Sequence, residues 1–574
     1  MSNLYLDIYK QICDERGWKT RKYIIETFQK LYKYLDKNEP RLLLLNLPTG
    51  YGKTSITEVI LKTILTYPEE LNYSRIIHVL PLKSIIHQLA VKLKREFGDA
   101  YVGEQHMGIH DSPYLVRKCV VTTFDTFLLN FVKLPTAEYE KALKYGITHH
   151  HFSRAMIYSS LVIFDEPHLI ILSRGRNQNG GLSVLTAIIS GLLSTGSQVI
   201  LSTASLPTII KEELINWLKA EFSRNIIDEV NYEDDPEFRS IYENRIEVAT
   251  YEGGLKDLVK SDIKKTIIIF NRVIDAVKTF KEFIQDPNLT NKYDDILLLH
   301  GMLPEYIKME AIDIIQEEIS DLVIATHSIE AGVDISYERI ITVPVHPDSL
   351  IQRVGRVARR ADQHGELIIL SPDYLNKVFG DYWTGYYNRE LSIQTFEYIE
   401  TEFIGREVSK RDFAQKIGKF MDFPDISIYY DIKVNNNLYD IIKICDNYEI
   451  IYPKMVLEAF RIIKELSNGP IQCYPVNGDI IRNEYRLIID EDKARNFLKK
   501  YNLFIRLNHG KLESIRDDKL LSLVMKDRNR DIPLTHLLIQ SGYIGIGIPF
   551  NEIRTNYSPE ELENVIKRIK GEIV

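Results

Sequence analysis

The run Pro48-Thr49-Gly50-Tyr51-Gly52-Lys53-Thr54 has the residue types, in the order, that gripping a phosphate requires. Gly50 and Gly52 can turn backbone amides inward toward phosphate oxygens. Lys53 can reach the outer phosphates of a nucleotide, and the Thr54 hydroxyl can ligate Mg²⁺. Apolar Leu42–Leu45 precede the loop and a helix-forming stretch follows it, so a phosphate would also meet a helix N-terminus. The strict G-x-x-x-x-G-K-T pattern fails, because Leu47 stands where its first glycine would be.

Two further segments carry matching chemistry. Asp165-Glu166-Pro167-His168 ends an apolar run. Asp165 can hold the water shell of Mg²⁺, Glu166 can orient or deprotonate an attacking water, and His168 can couple this site to a second lobe. IQRVGRVARR gathers Arg353, Arg356, Arg359 and Arg360 in one turn-rich segment. Phosphoryl transfer needs cations where negative charge develops, and Arg356 and Arg359 are the candidates, with Gln352 as a sensor beside them. Taken singly, these are a glycine turn, a polar strand end and a solvated arginine face. Together they define a catalytic set of Lys53, Asp165, Glu166, Arg356 and Arg359 acting on ATP, with Mg²⁺ held by Thr54 and Asp165.

Such loops need rigid elements behind them. Short, branched apolar runs recur at Leu42–Leu45, Ile76–Leu80, Val120–Val121, Leu161–Phe164 and Val199–Leu201. A second set is Ile267–Phe270, Ile296–Leu299, Leu322–Ile324, Ile340–Val343 and Leu367–Leu370. Flanked by helical stretches, they read as buried parallel strands, whose carboxyl ends are where ligands bind in open α/β sheets. The polar stretch from Lys211 to Asn244 reads as a lobe end plus linker, and SIYYDIKV farther on reads as strand-like. Ser558 and Pro559 open a terminal helix as cap and first residue.

The 574 residues suffice for three or four domains, and 45% hydrophobic with 26% charged residues is ordinary for a globular chain. A net charge of -8 advertises no overall basic field, so nucleic acid would have to bind local patches. The four cysteines form no C-x-x-C pair, which argues against a zinc module or disulfide scaffold. No apolar run approaches the roughly 18 residues of a membrane span, and a cytoplasmic location is the expectation. His110-Asp111 and His149-His150-His151 read as loop features rather than metal ligands. Trp18, Phe124 and Trp383 read as structural more than as base-stacking groups.

The motif set resembles superfamily 2 DExH helicases, in family order over about residues 20 to 375. The P-T-G-x-G-K-T loop is similar to the helicase form. LPLKSIIHQ (80–88), with Lys83, resembles a strand-contacting motif, as does VTTFDTF (121–127), with Thr123 and Asp125. Thr203-Ala204-Ser205-Leu206-Pro207 resembles a coupling motif, and Gln29 lies where the family reads adenine. ATHSIEAGVDIS (325–336) implies Thr326 on the nucleic-acid backbone and Asp334 near the nucleotide. FNRV at 270–273, which includes Asn271, with LIQRVGRVAR at 350–359, resembles the CRISPR-associated helicase of type I interference. His327 in place of a usual Gln, and Lys308 as the nearest cation after L-L-H, are departures.

The resemblance implies an α/β fold of two tandem RecA-like parallel-sheet lobes with a smaller mixed α/β C-terminal domain. The expected boundaries are 1–215 for the first lobe, 216–245 for a linker, 246–385 for the second lobe and 386–574 for an accessory domain. It implies ATP-driven 3′-to-5′ translocation on single-stranded DNA and partnership with an RNA-guided surveillance complex. The stretch before Lys53 is too short for the His-Asp nuclease domain of many relatives, so a separate nuclease subunit is expected. Another DExH enzyme, such as an RNA helicase or a repair translocase, or a nucleotide-switched adaptor without turnover, are the alternatives.

Overall fold

The computed structural model describes the chain except residues 1–2, 38–39, 49, 82, 107–108, 139–148, 173–179, 205, 223–225, 239–242, 262–263, 294, 318, 331–334, 361–362, 381, 383–386, 448–470, 479, 483–485, 490, 509–510, 526–533, 535–536, 539–542, 550–562 and 568–574. Two compact units emerge, one of Met1–Arg239 with Asp422–Ser467, the other of Ser240–Met421 with Asn468–Val574.

The first unit is built on strands β1 (Arg41–Asn46), β2 (Arg75–Leu80), β3 (Val102–His106), β4 (Ile109–His110), β5 (Cys119–Thr123), β6 (Ser160–Asp165), β7 (Gln198–Thr203) and β8 (Ile227–Asn231). Their order is β4-β3-β5-β2-β6-β7-β1-β8, parallel throughout except for the β3–β4 hairpin. A leucine run such as Leu42–Leu45 is buried on both faces, as a central parallel strand demands. Because β1 and β6 flank β7 in register, their carboxyl ends stand close together and carry the glycine loop and Asp165.

The second unit repeats the plan with β9 (Arg245–Tyr251), β10 (Thr266–Ile269), β11 (Ile296–Leu299), β12 (Leu322–Ala325), β13 (Arg339–Thr342), β14 (Gly365–Leu370) and β15 (Arg406–Ser409). Their order is β11-β12-β10-β13-β14-β9-β15, with only β15 antiparallel. All ten predicted apolar runs lie in these two parallel sheets, with Phe270 and Val343 one residue past strand ends. A third, mixed sheet in the same unit includes Ile471–Asn477, Leu503–Asn508, Lys511–Arg516 and Gly545–Pro549 around a small core of Cys473, Phe504 and Ile546. The expected α/β architecture of two parallel-sheet lobes and a mixed sheet is present.

The expected boundaries differ from the structure in two places. Residues 216–245 are not a linker: Ile227–Asn231 is the edge strand beside β1, and Asp235 is buried. Asp228 and Glu229 disguised this edge strand, which needs only one buried side. Nor do residues 386–574 form one accessory domain. Arg389–Glu402, β15 and Lys410–Met421 extend the second lobe, and Asn436–Asn447 packs on the first unit's Gly180–Ser194 helix. SIYYDIKV is not a strand: Pro424–Ser427 is helical and Ile428–Tyr430 a tight helical turn, a start that Pro424 favours at the first position. His149-His150-His151 opens the helix His150–Tyr158 rather than a loop, with His149 Nδ1 3.0 Å from Glu138 Oε1. The proposed cap at Ser558 and Pro559 lies outside the described residues. All four cysteines are buried and none is in a disulfide, and no helix among the described residues is long and apolar enough to cross a membrane.

Candidate nucleotide site

Gly50 and Gly52 have φ of 80° and 97°, the left-handed region that a side chain disfavours and a glycine enters freely. They bracket Tyr51, which is fully buried. Its hydroxyl accepts the Tyr23 N–H at 3.0 Å and donates to Asp235, and its ring meets Tyr23, Tyr232 and Phe238. The loop is therefore pinned at its middle from the helix Lys22–Lys37 and from the segment after β8. The motif assigns Tyr51 no role, and an aromatic between two glycines was the available signal.

Lys53 immediately precedes the helix Thr54–Thr66. Its Nζ lies 2.9 Å from Glu166 Oε1 and 3.3 Å from the Leu47 carbonyl. Thr54 is exposed at the helix start. Asp165 closes β6, with Oδ2 3.7 Å from His78 Nε2. The other His78 nitrogen is 2.7 Å from the Thr57 hydroxyl, so the imidazole is hydrogen-bonded to the phosphate-loop helix and stands beside the carboxylate. Burial works to raise the Asp165 pKa, but His78, the Lys53 charge and the Ser202 hydroxyl outweigh it and hold the group below the ordinary carboxylate range. His78 and Thr57 were not anticipated, because strand and helix interiors carry no motif.

Glu166 sits at φ +50°, a conformation costing a side-chain-bearing residue about 1–3 kcal/mol. Its N–H donates to the Ser202 carbonyl of β7 at 2.8 Å, which holds the turn. Glu166 Oε2 is 3.3 Å from His168 Nδ1, and His168 is buried. Asp165 Oδ1 and Glu166 Oε2 are buried acceptors without a hydrogen bond among the described residues. Two orphaned carboxylate oxygens beside a lysine and a threonine-headed helix fit a hydrated divalent cation with a nucleotide phosphate.

In the second unit the arginines divide into different roles. Arg353 is fully buried: Nε donates to Glu330 Oε1 at 2.7 Å, Nη1 to Thr342 Oγ1, and Nη2 to Asn271 Oδ1 at 3.0 Å. Arg356 Nη2 donates to the Glu330 carbonyl at 2.6 Å. Arg359 is half-buried, after Ala358 at φ 44°. Gln352 is buried beside them.

Several expected contacts look different in place. Asn271 was expected on nucleic acid, but it accepts from Arg353 and donates to the Pro344 carbonyl at 3.0 Å, so both ends of its amide serve the core. Thr326 was expected on the strand backbone, but it is fully buried, with its hydroxyl 3.2 Å from Ser328 Oγ. Thr123 caps the helix Phe124–Phe131 by accepting the Thr126 N–H at 3.2 Å, and Asp125 is exposed in that helix's first turn. Lys83 begins the helix Lys83–Phe97. Gln29 is exposed on the helix that carries Tyr23. Trp18 is partly exposed under the Arg16 guanidinium, and Phe124 is core. Asp111 accepts from the Glu104 N–H and Lys94, a structural role. Thr49, Ser205, Asp334 and Trp383 lie outside the described residues.

Two parallel sheets in tandem, the first bearing a phosphate loop and an acidic strand end and the second an arginine segment, define the superfamily 2 helicase class. A family model described as type III restriction enzyme, res subunit, matches residues 17–180, and one described as CRISPR-associated nuclease/helicase Cas3, C-terminal, matches residues 262–362. Within that class the chain is similar to Cas3-type helicases by sequence and fold. It is 22% identical over 455 residues to a putative CRISPR-associated nuclease/helicase Cas3 of Methanocaldococcus jannaschii, covering 72% of this chain and 57% of that one. The solved structure of T. fusca Cas3-ATP superposes with a TM-score of 0.55 at 14% identity, covering 96% of this chain and 69% of that one. A structure titled CRISPR RNA-guided surveillance complex, pre-nicking, contains a chain that superposes at 0.54 and 15% identity, over 94% of this chain and 68% of that one. The chain spans 14% to 60% of the lengths of the curated Cas3 relatives it matches.

Proposed function

We propose that this protein is a nucleic-acid-stimulated ATPase that moves along single-stranded DNA in type I CRISPR interference. The observation that carries the ATPase reading is the convergence of left-handed Gly50 and Gly52, Lys53 and the Asp165–Glu166 turn at the carboxyl ends of β1 and β6, which flank β7. The similarity to Cas3 proteins supplies the interference context.

In this reading Lys53 binds the outer phosphates and exchanges its ion pair with Glu166 for them. Thr54 and Asp165 would hold Mg²⁺, which when bound supplies positive charge to the phosphates. Release from Lys53 leaves the Glu166 carboxylate to orient the attacking water, and His168 sets its rotamer. Arg356 and Arg359 stabilise the charge that develops on the transferred phosphoryl group. Gln29, Thr49, Gln352 and Asp334 serve nucleotide recognition. Lys83, Thr123 and Asp125 serve the strand, whose backbone contacts would make binding steeply salt-dependent. An RNA-guided surveillance complex and a separate His-Asp nuclease are the partners this role calls for.

The test is ATP hydrolysis with Mg²⁺ and no nucleic acid, single-stranded DNA or single-stranded RNA, with Lys53→Ala as control. Stimulation by DNA that Lys53→Ala abolishes supports the proposal. Stimulation by RNA alone transfers the chain to RNA helicase work, and turnover that survives Lys53→Ala removes the site assignment. Nucleotide binding without turnover would favour a switch.

A further inference from the structure

The arginine segment turns at Val357-Ala358-Arg359-Arg360, and Ala358 there has φ 44°. A non-glycine residue holds such a conformation only when its surroundings over-determine it. The backbone groups of this turn are satisfied one by one. The Val357 N–H donates to the Val354 carbonyl at 3.2 Å and the Ala358 N–H to the Tyr337 carbonyl at 3.1 Å. The Arg359 N–H donates to Ser336 Oγ at 2.8 Å, and the Arg360 N–H to Gln363 Oε1 at 2.9 Å.

The carbonyls are taken from the other side by two buried side chains. Lys410 Nζ donates to the Val357 carbonyl at 2.8 Å and to the Ala358 carbonyl at 3.3 Å. Asn244 Nδ2 donates to the Ala358 carbonyl at 2.8 Å and also to the Arg360 carbonyl. The two clamps are tied together, because the Lys410 N–H donates to the Asn244 carbonyl at 2.9 Å.

Lys410 is an expensive residue to place there. It is buried, it begins the helix Lys410–Met421 where the dipole disfavours a cation, and Arg356 and Arg359 are near enough to repel it. Burial first, then those two arginines, push its pKa down to about 7. The two carbonyls it bonds are what offset these penalties. An apolar side chain would fill the space without them but would take the donor from the Val357 carbonyl and leave the Ala358 carbonyl of a strained turn to Asn244 alone.

We propose that Lys410 and Asn244 are positioning residues that lock the 357–360 turn and thereby fix the direction of Arg356 and Arg359 for their part in ATP turnover. The inference rests on the ATPase reading above and adds two residues outside every motif. Both act through the backbone of the arginine segment.

The experiment measures DNA-stimulated ATP hydrolysis by the full chain carrying Lys410→Met, Lys410→Gln, Asn244→Ala, Arg359→Ala, or Lys410→Met with Arg359→Ala. Lys410→Met should lower kcat roughly tenfold, as a displaced catalytic group does, with KM for ATP unchanged. Lys410→Gln keeps a donor and should recover part of the loss. The double variant should lose less than the product of the two single losses, since part of the clamp's effect runs through that arginine. A folded Lys410→Met with wild-type kcat, or losses that multiply in the double variant, would overturn the proposal. Where Lys410→Met fails to unfold cooperatively, Asn244→Ala decides by the same kcat criterion. A wild-type chain without Lys53-dependent turnover removes the ATPase reading and this inference together. Lys53-dependent turnover with silent clamp variants removes the inference alone.

Discussion

At the scale of single residues, the site is a set of charges made tolerable by their neighbours. Arg353 shows this in the second unit: three of its groups are bonded and it balances Glu330, itself buried. Arg353→Ala would strand that carboxylate, so we expect a loss of about 3–5 kcal/mol in urea unfolding. A variant as stable as wild type would show that Glu330 finds another partner. Glu104 gives a pH-dependent case in the first unit, between His106 Nε2 at 2.8 Å and His87 Nδ1 at 3.1 Å. Burial opposes its ionisation, yet the two imidazoles lower its pKa from 4.5 to about 2. A depressed carboxylate contributes stability above its unfolded pKa and loses it as pH falls through the folded one. Stability should therefore drop between about pH 4.5 and pH 2, and Glu104→Gln should flatten that limb of the unfolding profile. An unchanged acid limb would exclude Glu104 as its source.

At the scale of elements, the helix Gly180–Ser194 decides how the first unit closes. Nearly all of it is buried, and Asn436–Asn447 lies against it. The approach is tight at Gly191, where a Cβ would stand 2.7 Å from Phe131 Cζ and 2.9 Å from Asp446 Oδ2. Asp446 in turn takes Arg154 at 3.0 Å and the Tyr158 hydroxyl. Gly191→Ala must displace this carboxylate or the ring, and overpacking of that kind costs about 1–3 kcal/mol. A lowered urea midpoint with an unchanged m-value is the expected result, and an unchanged midpoint would mean that the helix yields at no cost. The ten apolar runs were legible as strands because a buried parallel strand needs little more than a branched apolar sequence. β8 was not, because at a sheet edge Asp228 and Glu229 are as welcome as leucine.

At the scale of the whole molecule, the chain leaves its first unit and returns to it. Asp422–Ser467 belongs with Met1–Arg239, although β9 to β15 come between them in sequence. The return is anchored by the Val434 N–H on Glu213 at 3.2 Å, the Asn435 N–H on Ser183 at 2.8 Å, and Lys443 beside Glu221 at 3.2 Å. A fragment ending at residue 239 should therefore expose the apolar face of Gly180–Ser194. It should bind a hydrophobic dye that the full chain does not, and adding back a 422–447 peptide should suppress that signal. Equal dye binding by fragment and full chain would show that the returning helix is not needed as cover.

The sequence by itself determined the local chemistry. Glycines at Gly50 and Gly52, a lysine before a helix, acids at a strand end and paired apolar runs are read from neighbours a few residues apart, where backbone freedom and strand burial act. Only the tertiary structure decided which side chains meet across long separations: Tyr51 with Asp235, His78 between Thr57 and Asp165, Arg353 with Asn271, Lys410 beneath the turn at Ala358. It also gave the Asn271 amide Arg353 and the Pro344 carbonyl as partners and buried Thr326 beside Ser328. The physical reason is that burial turns any nearby polar group into a partner that must be found, and residue type alone does not say which groups the fold will bring within reach.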